Sequence, residues 1–308
     1  EFTRSLYEDF LGNTFRYGST IWSNILIEKP DYEAMGVDLL SLDYTVGEDT
    51  INREFLVYQP EGFSGDLPVV YIFPGGNQSH TNLFNATGWY RIAEENGIIV
   101  VAINGPAPFA DKTGACSAYA WGSGTDYIGD ELFMEKVMEY VNANYPTDET
   151  RVYTSGLWNF TRYFALNHPD VIAAQGSVSA WGSNDYKDAA AAESDLATFT
   201  MVGENDLGSP VIGETPDMVL DCLEKKGYDL DKLVMKQNIA SEIDPRYNVN
   251  EYYLAGDNGE PTGNPIIRWG WVYDRGHSFL RTDYQIIWET WFSHWTVDLT
   301  TGRHIYTP

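Results

Sequence analysis

Arg151-Val152-Tyr153-Thr154-Ser155-Gly156-Leu157-Trp158-Asn159-Phe160-Thr161-Arg162 decides how this chain is read. Its first half, with Val152, Tyr153 and Thr154, reads as a strand. Its second half runs without a break into helix-forming residues as far as about Asn167, where Pro169 stops them. A strand that turns straight into a helix must bend within a few residues. Here the bend falls at Gly156–Phe160, with Trp158 at its apex.

Outward from this stretch, strand and helix patterns alternate. Val37–Val46 alternates apolar with polar residues, and Arg53–Pro60 is a second strand closed by the turn signal Glu61-Gly62. Val69–Phe73 and Ile98–Ile103 are apolar throughout, as strands covered on both faces are. Asn82–Asn96 reads as a helix ended by Gly97, and Asp126–Asn144 as an amphipathic one. Gly105–Gly124 reads as a long Gly/Ala/Ser-rich loop. Beyond the bend, Val171–Ser177 and Ala197–Val202 are expected strands, and Asp185–Glu193 and Pro216–Lys226 expected helices. Residues 237–264 read as irregular, with Ile266–Tyr273 the last strand and Tyr284–Trp295 the last helix. The pattern predicts an α/β fold: a mostly parallel central sheet with helices on both faces. No linker or internal repeat divides it, so 37–308 is expected to be one domain and 1–36 an N-terminal extension packed on it.

The 308 residues are 43% hydrophobic, enough for a large single core. A net charge of −26 argues against nucleic acid and anionic membrane surfaces as partners, since both call for a basic face. No apolar run approaches the ~20 residues of a membrane span. The opening Glu1-Phe2 matches a common cloning junction, so a removed leader and a secreted protein are expected. Cys116 and Cys222 could form one bridge or stay free. Asn77, Asn85 and Asn159 sit in glycosylation patterns. No metal-ligand spacing, no Gly-x-Gly-x-x-Gly after a strand and no phosphate loop occurs, so neither metal nor organic cofactor is expected, and the chain reads as a monomer.

Two residues after the bend stand where acid–base chemistry is placed. Asp206 follows the strand Thr198–Gly203, and His277 follows the last strand in Asp274-Arg275-Gly276-His277. A carboxylate that orients an imidazole makes a general base. Asp274 and Glu204 are the competing acids. His80, His168, His294 and His304 lack this context and read as surface or helix-end residues.

The chain resembles the secreted polyhydroxybutyrate-depolymerase and feruloyl-esterase group of α/β-hydrolases. The resemblance runs from about Arg53 to Trp291. It is carried by Arg53–Pro60, Val69–Gly76, Thr87-Gly88-Trp89, Arg151–Thr161, His168-Pro169-Asp170, Gly203–Asp206 and Gly276-His277. It implies the α/β-hydrolase fold and the order nucleophile, acid, histidine along the chain. It also implies Asp206 and His277 as acid and base, and oxyanion-hole donors at the backbone N–H groups of Gly76 and Asn159.

The resemblance breaks at the chemistry. Relatives carry Gly-x-Ser-x-Gly at this bend, and the chain carries Gly156-Leu157-Trp158-Asn159-Phe160. An indole cannot attack a carbonyl. Natural loss and deliberate replacement of the serine would leave the same sequence. One reading is therefore a disarmed esterase scaffold that binds a small-molecule ester or a saccharide-like or aromatic ligand, with Phe160, Trp121 and Trp181, and also Trp271, as stacking rings. The other, implied by the resemblance, is a working secreted ester hydrolase acting on plant polysaccharide esters or a polyester with a nucleophile elsewhere, for which Ser155, Ser177 and Ser179 are the nearest serines.

Overall fold

A computed structural model describes residues 31–75, 79–104, 128–157, 159–180, 186, 188–206 and 209–308. Ten strands form one mixed sheet. They are β1 (Val37–Val46), β2 (Asp49–Tyr58), β3 (Leu67–Phe73), β4 (Ile99–Ile103), β5 (Thr147–Leu157), β6 (Ala174–Val178), β7 (Ala197–Gly203), β8 (Leu233–Lys236), β9 (Tyr247–Ala255) and β10 (Pro261–Val272). Their order is β1-β2-β4-β3-β5-β6-β7-β10-β9-β8. The six central strands, β4 to β10 in that order, are mutually parallel, and the two outer pairs run antiparallel.

Every residue of β3 and β4 is buried because both faces are covered. On β3, Val70 and Ile72 join one apolar cluster with Leu83, Phe84 and Trp89, from α1 (His80–Thr87) and α2 (Trp89–Asn96), and with Tyr284 and Ile287 from α7 (Arg281–Thr290). Val69, Tyr71 and Phe73 point the other way. They meet Phe133 and Val137 of α3 (Ile128–Asn144) and Phe160 and Phe164 of α4 (Asn159–Asn167). A third cluster packs Trp269 and Trp271 of β10 against α6 (Asp217–Lys225). The expected parallel sheet with helices on both faces is what the chain forms.

Several boundaries differ from expectation. The helix expected over Asn82–Asn96 is two helices that meet at Gly88, whose φ of 72° ends α1 and admits the Arg281 side chain 3.0 Å from where a Cβ would sit. The stretch 237–264 is not irregular, because it contains β9 and the start of β10. The polar residues that obscured it are buried in cross-strand partnership: Glu251 of β9 lies opposite Arg268 of β10 and accepts from its Nε at 2.6 Å. Of the helix expected over Asp185–Glu193, the described part is α5 (Ala189–Glu193), capped by Asp188. The last helix ends at Thr290, and β10 is not the last strand. A hairpin follows, β11 (Trp295–Asp298) with β12 (Arg303–Tyr306). His304 and His80 are buried rather than surface residues, His304 through a 2.9 Å bond from Nδ1 to the Ala173 carbonyl. The expected loop over Gly105–Gly124 lies outside the described residues.

Candidate active site

The chain passes from β3 to β4 on one side and then to β5 on the other, so the order of the sheet reverses beside β3. Ligands of open α/β sheets bind outside the carboxyl ends of the strands at such a point. The end of β5 and the start of α4 stand there.

Gly156 is set by sterics. Its φ is +126°, and a Cβ on it would lie 2.3 Å from the Phe73 carbonyl oxygen of β3. Only glycine lets the end of β5 come this close. Two hydroxyls clasp strand to helix: Thr161 Oγ1 donates to Leu157 O at 3.3 Å, and Thr154 Oγ1 to Thr161 O at 3.2 Å.

Phe160 is not a stacking platform for a ligand. It is fully buried. Its ring lies edge-on to Phe73 at 5.3 Å and beside Phe164 and Tyr163 at 5.9 and 6.1 Å. The start of α4 presents this position to the layer between sheet and helices, so a large ring there fills core and not cleft. Trp271 is likewise core: it is fully buried and donates from Nε1 to Pro210 O at 2.9 Å. Trp158, Trp121, Trp181 and Gly76 lie outside the described residues. Asn159 is the first residue of α4, where backbone N–H groups lack intrahelical acceptors.

Asp206 and His277, 71 residues apart in sequence, are brought together. Nδ1 of His277 lies 3.0 Å from both Asp206 carboxylate oxygens. The Asp206 side chain is wholly buried and that of His277 is 44% exposed. With Nδ1 held by the carboxylate, Nε2 is the nitrogen left to exchange a proton. Of the competing acids, Glu204 is otherwise engaged: its Oε2 accepts from the Asp274 backbone N–H at 2.9 Å.

Backbone contacts hold the two loops together. The N–H of Glu204 donates to Val272 O at 2.9 Å, and that of Asn205 to Arg275 O at 2.8 Å. A Cβ on Gly203 would lie 2.3 Å from the carbonyl oxygens of both Arg275 and Gly276, so the acid loop and the histidine loop touch through a glycine.

A buried network that sequence reasoning missed fixes the histidine loop from below. Arg275 Nη1 donates to both Asp283 oxygens at 2.7 Å. Asp283 also accepts from Tyr247 OH at 2.5 Å and from the Leu280 backbone N–H at 2.8 Å. It thereby ties together residues on either side of His277. Burial works against the Arg275 charge, and the Asp283 carboxylate more than restores it, so the guanidinium holds its proton more firmly than usual. Burial first, and then Asp283, push the Tyr247 hydroxyl well above its ordinary range. From the β6 end, Ser179 Oγ donates to Ser278 O at 2.8 Å, with Ser179 itself at a φ of 52°. Arg275 and Asp283 flank His277 in sequence, yet their spacing carries no signal of the pairing.

The serines near the site are spoken for or shut away. Ser155 is fully buried, Ser177 Oγ lies 3.3 Å from Thr200 Oγ1, and Ser179 is 3% exposed. Cys222 is a buried free thiol that accepts from Tyr186 OH at 3.2 Å, and Cys116 lies outside the described residues. Asn85 is buried and accepts from Tyr32 OH at 2.9 Å, which closes that glycosylation pattern. Among the described residues no group of three or more His, Cys, Asp or Glu converges to hold a metal ion, and no helix is long and apolar enough to cross a membrane.

The architecture is matched by an acetyl xylan esterase from Aspergillus awamori, at a TM-score of 0.57 and 13% identity, over 83% of this chain and 99% of that one. The chain has the α/β-hydrolase fold. An S-formylglutathione hydrolase from Agrobacterium tumefaciens matches at a TM-score of 0.53 and 16% identity, over 82% and 93% of the two chains. A thermostable esterase matches more weakly, at a TM-score of 0.46 and 18% identity, and this chain spans about half of that protein, 51%. No family model and no curated protein sequence matches.

Proposed function

We propose that this chain is an esterase-like α/β-hydrolase scaffold that keeps its acid and base and lacks its nucleophile, and that it binds a small ester or saccharide-like ligand outside the cell without hydrolysing it. The observation that carries the reading is the Asp206–His277 pair, held at 3.0 Å at the carboxyl ends of β7 and β10, in a chain whose bend after β5 carries Trp158 in place of serine. Acyl transfer by this route needs an oxygen or sulfur nucleophile beside the imidazole. An indole offers neither.

The alternative, a working ester hydrolase with another nucleophile, draws support from the exposure of His277, which suits a base in use. Against it, Ser155, Ser177 and Ser179 are all buried. A serine-reactive fluorophosphonate separates the two readings. The proposal expects the folded chain to stay unlabelled. Stoichiometric labelling that is lost on changing His277 to Ala would overturn it and assign an active enzyme.

A further inference from the structure

A second concavity opens at the same edge of the sheet, away from the Asp206–His277 pair. It encloses about 410 Å³ between β1, β2, the start of α1 and the residue after β4. That is within the range of small-ligand clefts, roughly 300–1,000 Å³. Asn104 follows β4 and Asp206 follows β7, four strands away in a parallel array, so the two places are about 19 Å apart at ~4.8 Å per strand.

The walls are mixed in chemistry. Ser41, Thr81 and Glu54 bring hydroxyls and a carboxylate, and Leu39, 57% exposed, brings an apolar surface. His80 and Asn104 line the concavity and are 7% and 4% exposed. Nδ1 of His80 and Oδ1 of Asn104 are both buried and make no hydrogen bond of full geometry, although Asn104 stands close enough to act on the His80 ring. Buried polar atoms are seldom left so, and each instance calls for a reason.

We infer that this concavity is a second binding site, and that it takes a neutral polyhydroxylated ligand, a mono- or disaccharide. Hydroxyl groups both donate and accept, and imidazole, carboxamide, hydroxyl and carboxylate side chains together offer both roles. Among the described residues no lysine or arginine lines the site and Glu54 does, which disfavours an anion. A lone carboxylate is too little to hold a metal cation. Leu39 supplies the apolar surface on which the C–H face of a sugar ring can lie. Burial depresses the His80 pKa, with Asn104 and Glu54 opposing more weakly, so near neutral pH the ring is uncharged and has one donor and one acceptor nitrogen. The inference stands whether or not the Asp206–His277 pair turns over substrate.

The test is calorimetric and NMR titration of the whole chain with xylobiose, cellobiose and maltose. At least one disaccharide should bind and shift the His80 ring signals. Ser41→Trp, on the exposed lip of the concavity, should weaken that binding at least tenfold without moving the melting temperature, and Glu54→Ala should weaken it as well. Failure of all three sugars to bind overturns the inference. Binding that survives Ser41→Trp at full strength overturns it too, because the sugar then sits elsewhere.

Discussion

The bend after β5 and the paired loops after β7 and β10 are built alike and have different contents. Each depends on a glycine where backbones nearly touch. Gly156 meets Phe73 and Gly203 meets Arg275 and Gly276, each with a carbonyl oxygen 2.3 Å from the missing Cβ. In the paired loops Asp206 and His277 meet, and the Arg275–Asp283–Tyr247 network braces the histidine loop. Between β5 and the core ring of Phe160 the sequence carries Trp158 and Asn159. Backbone sterics and side-chain chemistry are thus separable in this fold. The glycines answer to strand packing, whatever side chains stand between them and the cleft.

This comparison can be broken on either side. The largest effect is expected at Asp283. Removing one partner of a buried charge pair costs about 3–5 kcal/mol. Asp283→Ala also releases Tyr247 and the Leu280 N–H, so denaturant unfolding should place it at the top of that range. A loss under about 1 kcal/mol would mean that the network does not brace the histidine loop.

Phe160→Ala comes next. If the ring belongs to the core it should cost about 3–5 kcal/mol, as truncation of a buried phenylalanine does. A ring lining a ligand cleft would cost far less, so a variant as stable as the parent would return Phe160 to the site and undo the contrast with the paired loops.

The smallest effect concerns pH. Burial depresses the pKa of His304, with its bond to the Ala173 carbonyl opposing more weakly, and His80 is depressed in the same direction. Their folded pKa values lie below the unfolded value of about 6.5. The unfolded chain therefore takes up protons first as pH falls. Their stabilising contribution is complete above about pH 6.5 and is lost progressively below it. Melting temperatures measured from pH 8 to pH 5 should fall, and His304→Gln should lessen the fall. An unchanged slope in that variant would show that His304 plays no part.

Much of the fold is legible because it rests on burial. β3 and β4 are apolar throughout, since both of their faces are covered, and such runs declare themselves in a sequence. Asp206 and His277 are legible because each stands just past a strand. β9 hides because Asn250 and Glu251 are buried polar residues, whose pairing with β10 appears only once the strands meet. The break at Gly88 hides because one glycine in a helical pattern is tolerated until Arg281, far along the chain, claims the space. Phe160 was within reach: it stands four residues before Phe164, the spacing of one helix face, and both rings meet Phe73.

The central claim is that an acid and base stand ready beside a bend without a nucleophile. The direct measurement is p-nitrophenyl acetate hydrolysis by the parent chain, by Trp158→Ser, and by Trp158→Ser combined with His277→Ala. Phe160 stays in place because its ring holds the core. The account predicts an inert parent, a gain of roughly 10²-fold or more on installing the serine, short of the ~10⁶ that a fully adapted triad supplies, and loss of that gain without His277. Turnover by the parent at an enzymic rate, or a Trp158→Ser gain that persists without His277, would contradict it.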